Sequence, residues 1–134
     1  MIKPLSYYIS EQTGWSLGTA LVVGGFNQES PDSCVTIQDS GGVADMDRMD
    51  SVEYRFSFLA RGYGYSISRA LAYVVFDLFR FRGALTLPTA PTGETWDDWL
   101  INSCGLLAVP QHLGLDEKGR DLWSVNLLVY GQQI

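Results

Sequence analysis

The sequence predicts an α+β fold, in which a mostly antiparallel β-sheet has one long helix and one short N-terminal helix packed on one face. Three patterns favour it. Apolar and polar side chains alternate along residues 52–60, which is the period of a strand with one buried face. Residues 66–81 repeat apolar side chains at helical spacing. A turn signature at 116–119 precedes a second alternation at 123–129, which predicts a closing antiparallel hairpin.

A chain of 134 residues has the length of one domain, so we expect residues 1–134 to share a single core. Hydrophobic residues make up 46% of the chain and charged residues 18%, which excludes a disordered tail. No apolar run approaches the roughly 18 residues that cross a bilayer. Residues 1–5 lack the apolar segment of a secretory signal, which predicts a protein made in the cytoplasm without membrane attachment.

The first third of the chain is predicted to contain the short helix and two strands. Residues 4–13 suit a helix because apolar side chains recur there at one-face spacing. Residues 19–23 and 34–38 have the composition of strands. The small residues at 40–42 are expected to end the second strand, and residues 43–51 to form an acidic loop.

The long helix at 66–81 is apolar on more than one side. The stripe expected to face the core consists of Ile67, Ala70, Leu71, Val74, Val75 and Leu78. Further apolar residues lie beside that stripe, namely Ala72, Tyr73, Phe76 and Phe79. A helix that is apolar nearly all round is either deeply buried or also contacts a partner, and in a small domain we favour the partner. Ser66 is expected to cap its N-terminus.

The remaining segments complete the predicted sheet. Residues 84–87 form a short strand candidate, and the proline-rich stretch 88–93 is a loop. Residues 99–110 are predicted to form another strand. This strand and the alternating segment 123–129 flank the turn at 116–119 and are expected to pair as an antiparallel hairpin.

Charge is distributed in three blocks. Residues 29–53 have a net charge of −6, residues 55–82 of +4, and residues 94–121 of −4, within a total of −6 and a pI near 4.5. This acidic total argues against an autonomous nucleic-acid binder. Two interpretations of the blocks stay open: one surface attracts a second copy of the chain, or the blocks neutralise each other within one subunit.

The sequence lacks the usual constellations of catalytic residues, which predicts a protein that is not an enzyme and needs no cofactor or metal. His112 is the single histidine and is expected at a surface or turn. Cys34 and Cys104 lack zinc-binding spacing and are expected to be reduced, buried thiols. The turn at 62–66 resembles an anion-binding turn only weakly, because Ile67 replaces the third glycine of a dinucleotide fingerprint.

A divalent-cation site in the acidic loop is a further alternative. The aspartates at 45–50 supply oxygen ligands, but Asp50 and Phe56 stand where an EF-hand needs glycine and glutamate. We interpret the segment as a solvated acidic loop.

Several segments resemble, in order, the phage minor capsid and tail terminator (head–tail joining) proteins of long-tailed bacteriophages. Residues 31–42 resemble the segment PD-x-x-V-x-hydrophobic-x-D-x-GG of that family. Residues 56–62 look like its strand ending in Arg-Gly, and a tyrosine and the long helix follow as they do there. Residues 114–126 are similar to its closing hairpin. Residues 84–110 show no counterpart.

This resemblance implies a structural virion protein and a tail-terminator-like domain. Tail terminators form a six-fold ring that caps the tail tube, ends tail elongation and joins the tail to the head. The implied partners are copies of the chain itself, the tail tube protein and a head-completion or connector protein. Genome DNA would pass through the ring without specific binding, and acidic residues lining a lumen would repel its phosphates.

Candidate functional residues follow from the charge pattern and the resemblance. The subunit-interface candidates are Arg61, Arg69, Tyr73, Phe76, Arg80 and Asp39. The partner-loop or lumen candidates are Asp45, Asp47, Arg48, Asp50, Trp96, Asp97 and Asp98. For Arg61 and Arg69 an ion pair within the subunit is the alternative. Residues 43–51 and 88–98 are expected to be loops that become ordered on assembly, and Asp39 with the two following glycines to shape the turn into the first of them.

Three other functions stay open. One is another neck or tail-completion protein. The second is a small acidic inhibitor or immunity-type module that covers a basic active site, which would be a monomer or dimer with one tight partner. The third is an enzyme or anion-binding domain built on the turn at 62–66, which a ligand would stabilise against heat.

Overall fold

The computed structural model describes residues 1–44, 52–80 and 82–134. Its elements, in chain order, are α1 (Ile2–Thr13), β1 (Leu21–Val23), β2 (Cys34–Ala44), β3 (Val52–Gly62), α2 (Tyr65–Phe79), β4 (Leu85–Thr86), β5 (Trp99–Leu106), β6 (Gln111–Leu115) and β7 (Asp121–Gln133). The strands form one curled sheet in the order β1-β2-β3-β7-β5-β4, and β6 also pairs with β7. The pairings are antiparallel except for β1 with β2. The predicted α+β class is confirmed, although the two helices differ little in length, with 12 and 15 residues.

The centre of the sheet is the antiparallel pair β3 and β7. Phe56 lies opposite Leu127, and Phe58 lies opposite Val125, with all four side chains buried. Cross-strand pairs of this kind are the main stabilising unit of a sheet. The alternation at 52–60 therefore predicted both the strand and its buried face.

Strand β2 continues through the residues that were expected to end it. Its register against β3 shifts between Asp39 and Gly42, which is a β-bulge, and pairing resumes at Gly42 opposite Tyr54. Gly42 has a φ of 153°, and a Cβ at this position would overlap the carbonyl oxygen of Glu53. The expected turn at 39–42 is thus wrong, because glycine admits the extra residue without unpairing the strands.

The candidate residues Asp45, Asp47, Arg48 and Asp50 lie outside the described residues, as does most of the expected acidic loop.

The predicted strand 99–110 is divided into two. Strands β5 and β6 pair in succession with the edge of β7 that faces away from β3, and the connector 107–110 lies between them. The turn that follows β6 closes the predicted antiparallel hairpin, since the amide of Asp116 donates to the carbonyl of Arg120. We call β6, this turn and the start of β7 the β6–β7 hairpin.

Helix α2 is rotated about its axis relative to the prediction. The residues facing the core are Ser68, Ala72, Val75 and Phe79, whereas Ile67 and Val74 are 53% and 41% exposed and Ala70 is exposed. The expected core stripe is therefore wrong for these three residues. The ring of Phe79 decides the rotation, because it packs against Tyr8 of α1 and Phe58 of β3.

The start of α2 also differs from the prediction. The N-cap is Gly64, with a φ of 100° and no side-chain cap, so the expected Ser66 cap is wrong. Ser68 can face the core because its hydroxyl donates to the carbonyls of Gly64 and Tyr65. Satisfying the hydroxyl within the first turn removes the cost of burying it.

Helix α1 contributes to the same core. Leu5, Tyr8 and Ile9 are buried with the apolar face of β3 and β7, and Gly14 ends the helix in the left-handed conformation. In the described part of the chain, no helix is both long enough and apolar enough to span a membrane.

Candidate functional site

One flank of α2 brings together four of the predicted interface residues. Arg69, Tyr73, Phe76 and Arg80 recur at intervals of four, three and four, which places them on one side of a helix. The guanidinium of Arg69 lies 4.2 Å from the centre of the Tyr73 ring, and that of Arg80 lies 5.6 Å from Phe76. The two rings meet edge to face at 5.6 Å. We call this set the arginine–aromatic flank.

The flank borders a groove of about 520 Å³ between α2 and β5. On the helix side the groove is lined by Phe76, Phe79 and Arg80, and on the sheet side by Cys104, Leu106 and Val109. Most of this lining is apolar, and Arg80 adds a guanidinium that also lies 3.4 Å from the Asp77 carboxylate. We call it the α2–β5 groove. Cys104 is a half-buried free thiol, and burial raises its pKa, which favours the protonated form.

An exposed apolar edge continues from the groove. Leu107 and Val109 in the connector, and Leu113 and Leu115 in β6, are all more than half exposed. Within the described chain, β6 pairs with β7 alone, so its outer edge has no neighbouring strand. Unpaired edges and clustered exposed apolar side chains are typical of surfaces that contact another protein. The sequence pattern did not predict this edge, because residues 99–110 were expected to form one strand. Gly105 and Pro110 are the residues that could have indicated the break between β5 and β6.

The turn of the β6–β7 hairpin is held in a fixed shape by Asp116. Its carboxylate accepts hydrogen bonds from the amides of Lys118 and Arg120 and, at 2.7 Å, from Nε of Arg120. Arg120 also contacts Asp32 at 3.1 Å. Partial desolvation opposes the ionised form, but the hydrogen bonds from Arg120 and Lys118 outweigh it and lower the pKa of Asp116.

The side chain of His112 makes polar and ring contacts within the subunit. Its Nε2 lies 2.8 Å from Oδ1 of Asp121, and its ring packs against Tyr65 at 5.2 Å and Trp123 at 5.1 Å. These contacts join β6 to the first turn of α2. Among the residues that the structure describes, no group of three or more His, Cys, Asp or Glu side chains is arranged to hold a metal ion.

Arg61 is used inside the subunit. It is 5% exposed, and its guanidinium donates to the carbonyls of Ser30, Pro31 and Asp32 and lies 4.1 Å from the ring of Phe26. Neither the interface role nor the alternative ion pair describes this arrangement, since the acceptors are backbone oxygens. We therefore leave Arg61 out of the interface proposed below.

The remaining interface candidate, Asp39, is not brought to the flank. It is exposed on β2, which lies on the opposite side of the central β3–β7 pair from β5 and the groove.

Contacts within the subunit hold the loop 88–98 in place, without a contribution from a second subunit. The indole N–H of Trp96 donates to the carbonyl of Pro88 at 3.0 Å, and its ring lies 5.0 Å from that of Tyr7. Asp97 accepts a hydrogen bond from Gln133. Asp98 is exposed, and its backbone carbonyl accepts from the amide of Ile134. The expectation that this loop lacks structure in the free subunit is wrong because α1 and the end of the chain hold it.

Among the residues that the structure describes, ion pairs between the basic block and the acidic blocks include Arg55 with Glu53, at 3.5 Å. Arg69 and Arg82 instead lie over tyrosine rings, at 4.2 and 5.9 Å. Both interpretations of the charge blocks stay open, since Asp45, Asp47 and Asp50 of the first acidic block lie outside the described residues.

No family model matches the chain, and no curated protein matches it. The resemblance to tail terminator proteins therefore stays a prediction.

Proposed function

We propose that this chain is a non-enzymatic structural subunit that associates with copies of itself in a ring capping the tail tube of a long-tailed phage. The ring would end tail elongation and join the tail to the head connector. The observation that carries the proposal is the exposed side of α2, where the arginine–aromatic flank meets an apolar groove and a strand edge that has no neighbour among the described residues. Such a surface is costly for an isolated subunit to expose to water.

The positions of the charges support a head-to-tail contact. The groove and Arg80 lie at the C-terminal end of α2, whereas the exposed acids Asp32 and Glu117 lie with the β6–β7 hairpin near its N-terminal end. Unlike patches on opposite sides of one subunit associate heterologously, and heterologous contacts close into a ring when their rotation permits. Complementary charge would favour the correct encounter between copies.

The test is the assembly state of the purified protein, alone and mixed with the tail tube protein of the same genome. Light scattering after gel filtration gives the mass, and negative-stain imaging identifies rings or capped tubes. We expect six-membered rings, or tubes with this protein at one end. A wild-type protein that stays monomeric and never binds a tube would contradict the proposal and favour the inhibitor function.

A charge-reversal pair identifies the surface. We expect Arg69→Glu combined with Arg80→Glu to weaken self-association by about tenfold or more, because the reversed charges repel the acidic side of the next copy. Arg55→Glu combined with Lys3→Glu reverses the same number of positive charges outside α2 and serves as the control. Equal weakening by both variants would point to net charge rather than to the flank.

A further inference from the structure

We propose that the β6–β7 hairpin of one copy inserts into the α2–β5 groove of the next, with Leu115 as the apolar anchor. This inference rests on the proposed self-association and names the two surfaces that meet. The occupant of the groove is thus a second copy of this chain.

The hairpin has the properties of an inserting element. Leu115 is 65% exposed and Leu113 is 53% exposed, although both belong to a strand of the sheet. The Asp116 carboxylate and Arg120 fix the turn beside them. A side chain presented by a rigid turn loses little conformational entropy on docking. An exposed acid, Glu117, follows the anchor by two residues.

The groove has the complementary properties. Its volume of about 520 Å³ accommodates a leucine side chain, and Phe76, Leu106 and Val109 give it apolar walls. Arg80 lies in the lining, 3.4 Å from the Asp77 carboxylate, so an acid next to an inserted leucine would share its positive charge with Asp77. The apolar walls of the groove complement Leu115, and the guanidinium of Arg80 complements Glu117.

A subunit cannot fill its own groove with its own hairpin. Leu115 lies beyond His112, which contacts Tyr65 at the start of α2, whereas the groove is lined by Phe76 and Arg80 at the other end of α2. Tyr65 and Phe76 are separated by about 16 Å along the helix axis, which is too far for the anchor to enter the groove of its own subunit. The docking must therefore join two copies, and its repetition gives a head-to-tail series.

Two complementary variants test whether the β6–β7 hairpin of one copy docks in the α2–β5 groove of another. Leu115→Asp removes the anchor, and Val109→Asp places a charge in the groove; both side chains are more than half exposed, so neither change should unfold the protein. We expect each variant alone to self-associate at least about tenfold more weakly than wild type, because an aspartate docked against apolar walls loses its hydration. Mixed together, the two variants retain one intact hairpin and one intact groove, and sedimentation velocity should detect a 1:1 heterodimer.

A cysteine placed on the hairpin gives a second readout. The native thiol of Cys104 lines the groove, so Leu115→Cys should form an intersubunit disulfide on mild oxidation, visible on a non-reducing gel. Adding Cys104→Ser should abolish the product, while Val23→Cys, an exposed position on β1, should not yield it. Cys34 is buried and does not compete.

The outcomes separate this inference from the proposed function. Wild-type rings without a heterodimer in the variant mixture would overturn the hairpin–groove contact and leave the ring intact. A heterodimer together with covalent products no larger than a dimer would support the contact and overturn the ring. A wild-type protein that never self-associates, even with the tube protein, would overturn both.

Discussion

Arg61 carries a positive charge into the interior, where backbone carbonyls take the place of a counter-ion. The residues that accept its hydrogen bonds, Ser30 to Asp32, belong to the connector between β1 and β2, so one guanidinium fixes a segment that lacks regular structure. Arginine suits this role because its planar fork can donate to several acceptors at once.

Replacing Arg61 with Met tests its structural role. We expect Arg61→Met to lower the free energy of unfolding by about 1–3 kcal/mol, because buried carbonyls lose their donor. Lys118→Met removes an exposed positive charge and should change that free energy by less than about 0.5 kcal/mol. Urea denaturation of both variants gives the comparison. Equal effects would mean that the connector does not depend on the guanidinium.

Asp116 gives the stability of the hairpin a pH dependence. Its pKa is lower in the folded chain than its ordinary value, so the folded state binds a proton less readily than the unfolded state. The stabilisation is therefore present above the ordinary aspartate pKa of about 3.9 and is lost as the pH falls through the lower, folded value.

Asp116→Asn should be less stable than wild type at pH 7, and the difference should narrow as the pH falls below about 4. The measurement is urea denaturation of both proteins at pH 7, 4 and 3, at a concentration low enough to avoid assembly. Using the difference between the two proteins cancels the titration of the other carboxylates. A difference that stays constant across this range would contradict the assignment.

At the level of elements, one side of α2 packs in the core and another side lines the exposed α2–β5 groove. Its spacing of apolar residues predicted the helix closely, but apolar side chains lie nearly all round, so the pattern alone left the rotation about the axis undetermined. The adjacent residues Val74 and Val75 show the result, since the first is 41% exposed and the second fully buried.

This pair of valines offers a matched test of the rotation. We expect Val75→Ala to lower the free energy of unfolding by about 1–3 kcal/mol through lost burial. Val74→Ala should leave it unchanged or raise it by about 0.5 kcal/mol, because alanine has the higher helix propensity. Thermal or urea denaturation measures both. A larger loss for Val74→Ala would support the rotation predicted from the sequence.

At the level of the whole molecule, the central pairing joins distant parts of the chain. β3 lies antiparallel to β7 from Val52 opposite Gly131 to Gly62 opposite Asp121, with α2 and the β5–β6 segment between them in sequence. Closing such a long loop costs entropy before the buried contacts repay it.

Refolding should therefore take milliseconds to seconds, the range of folds dominated by non-local pairing. Stopped-flow fluorescence can follow it through Trp123, which is buried in β7, and Trp123→Phe would test the origin of the signal. A full-amplitude phase in microseconds would contradict the expectation, because it would mean that local contacts dominate the barrier.

The sequence by itself determined what local patterns encode: the alternating strands, the existence and approximate limits of α2, and the turn that closes the hairpin. Tertiary structure decided the rest. The rotation of α2 depends on where Phe79 meets Tyr8 and Phe58, and the burial of Arg61 depends on carbonyls about 30 residues away. The groove exists only where α2 and β5 approach each other. Burial and pairing are properties of atoms brought together from distant segments, so periodicity within one segment cannot specify them.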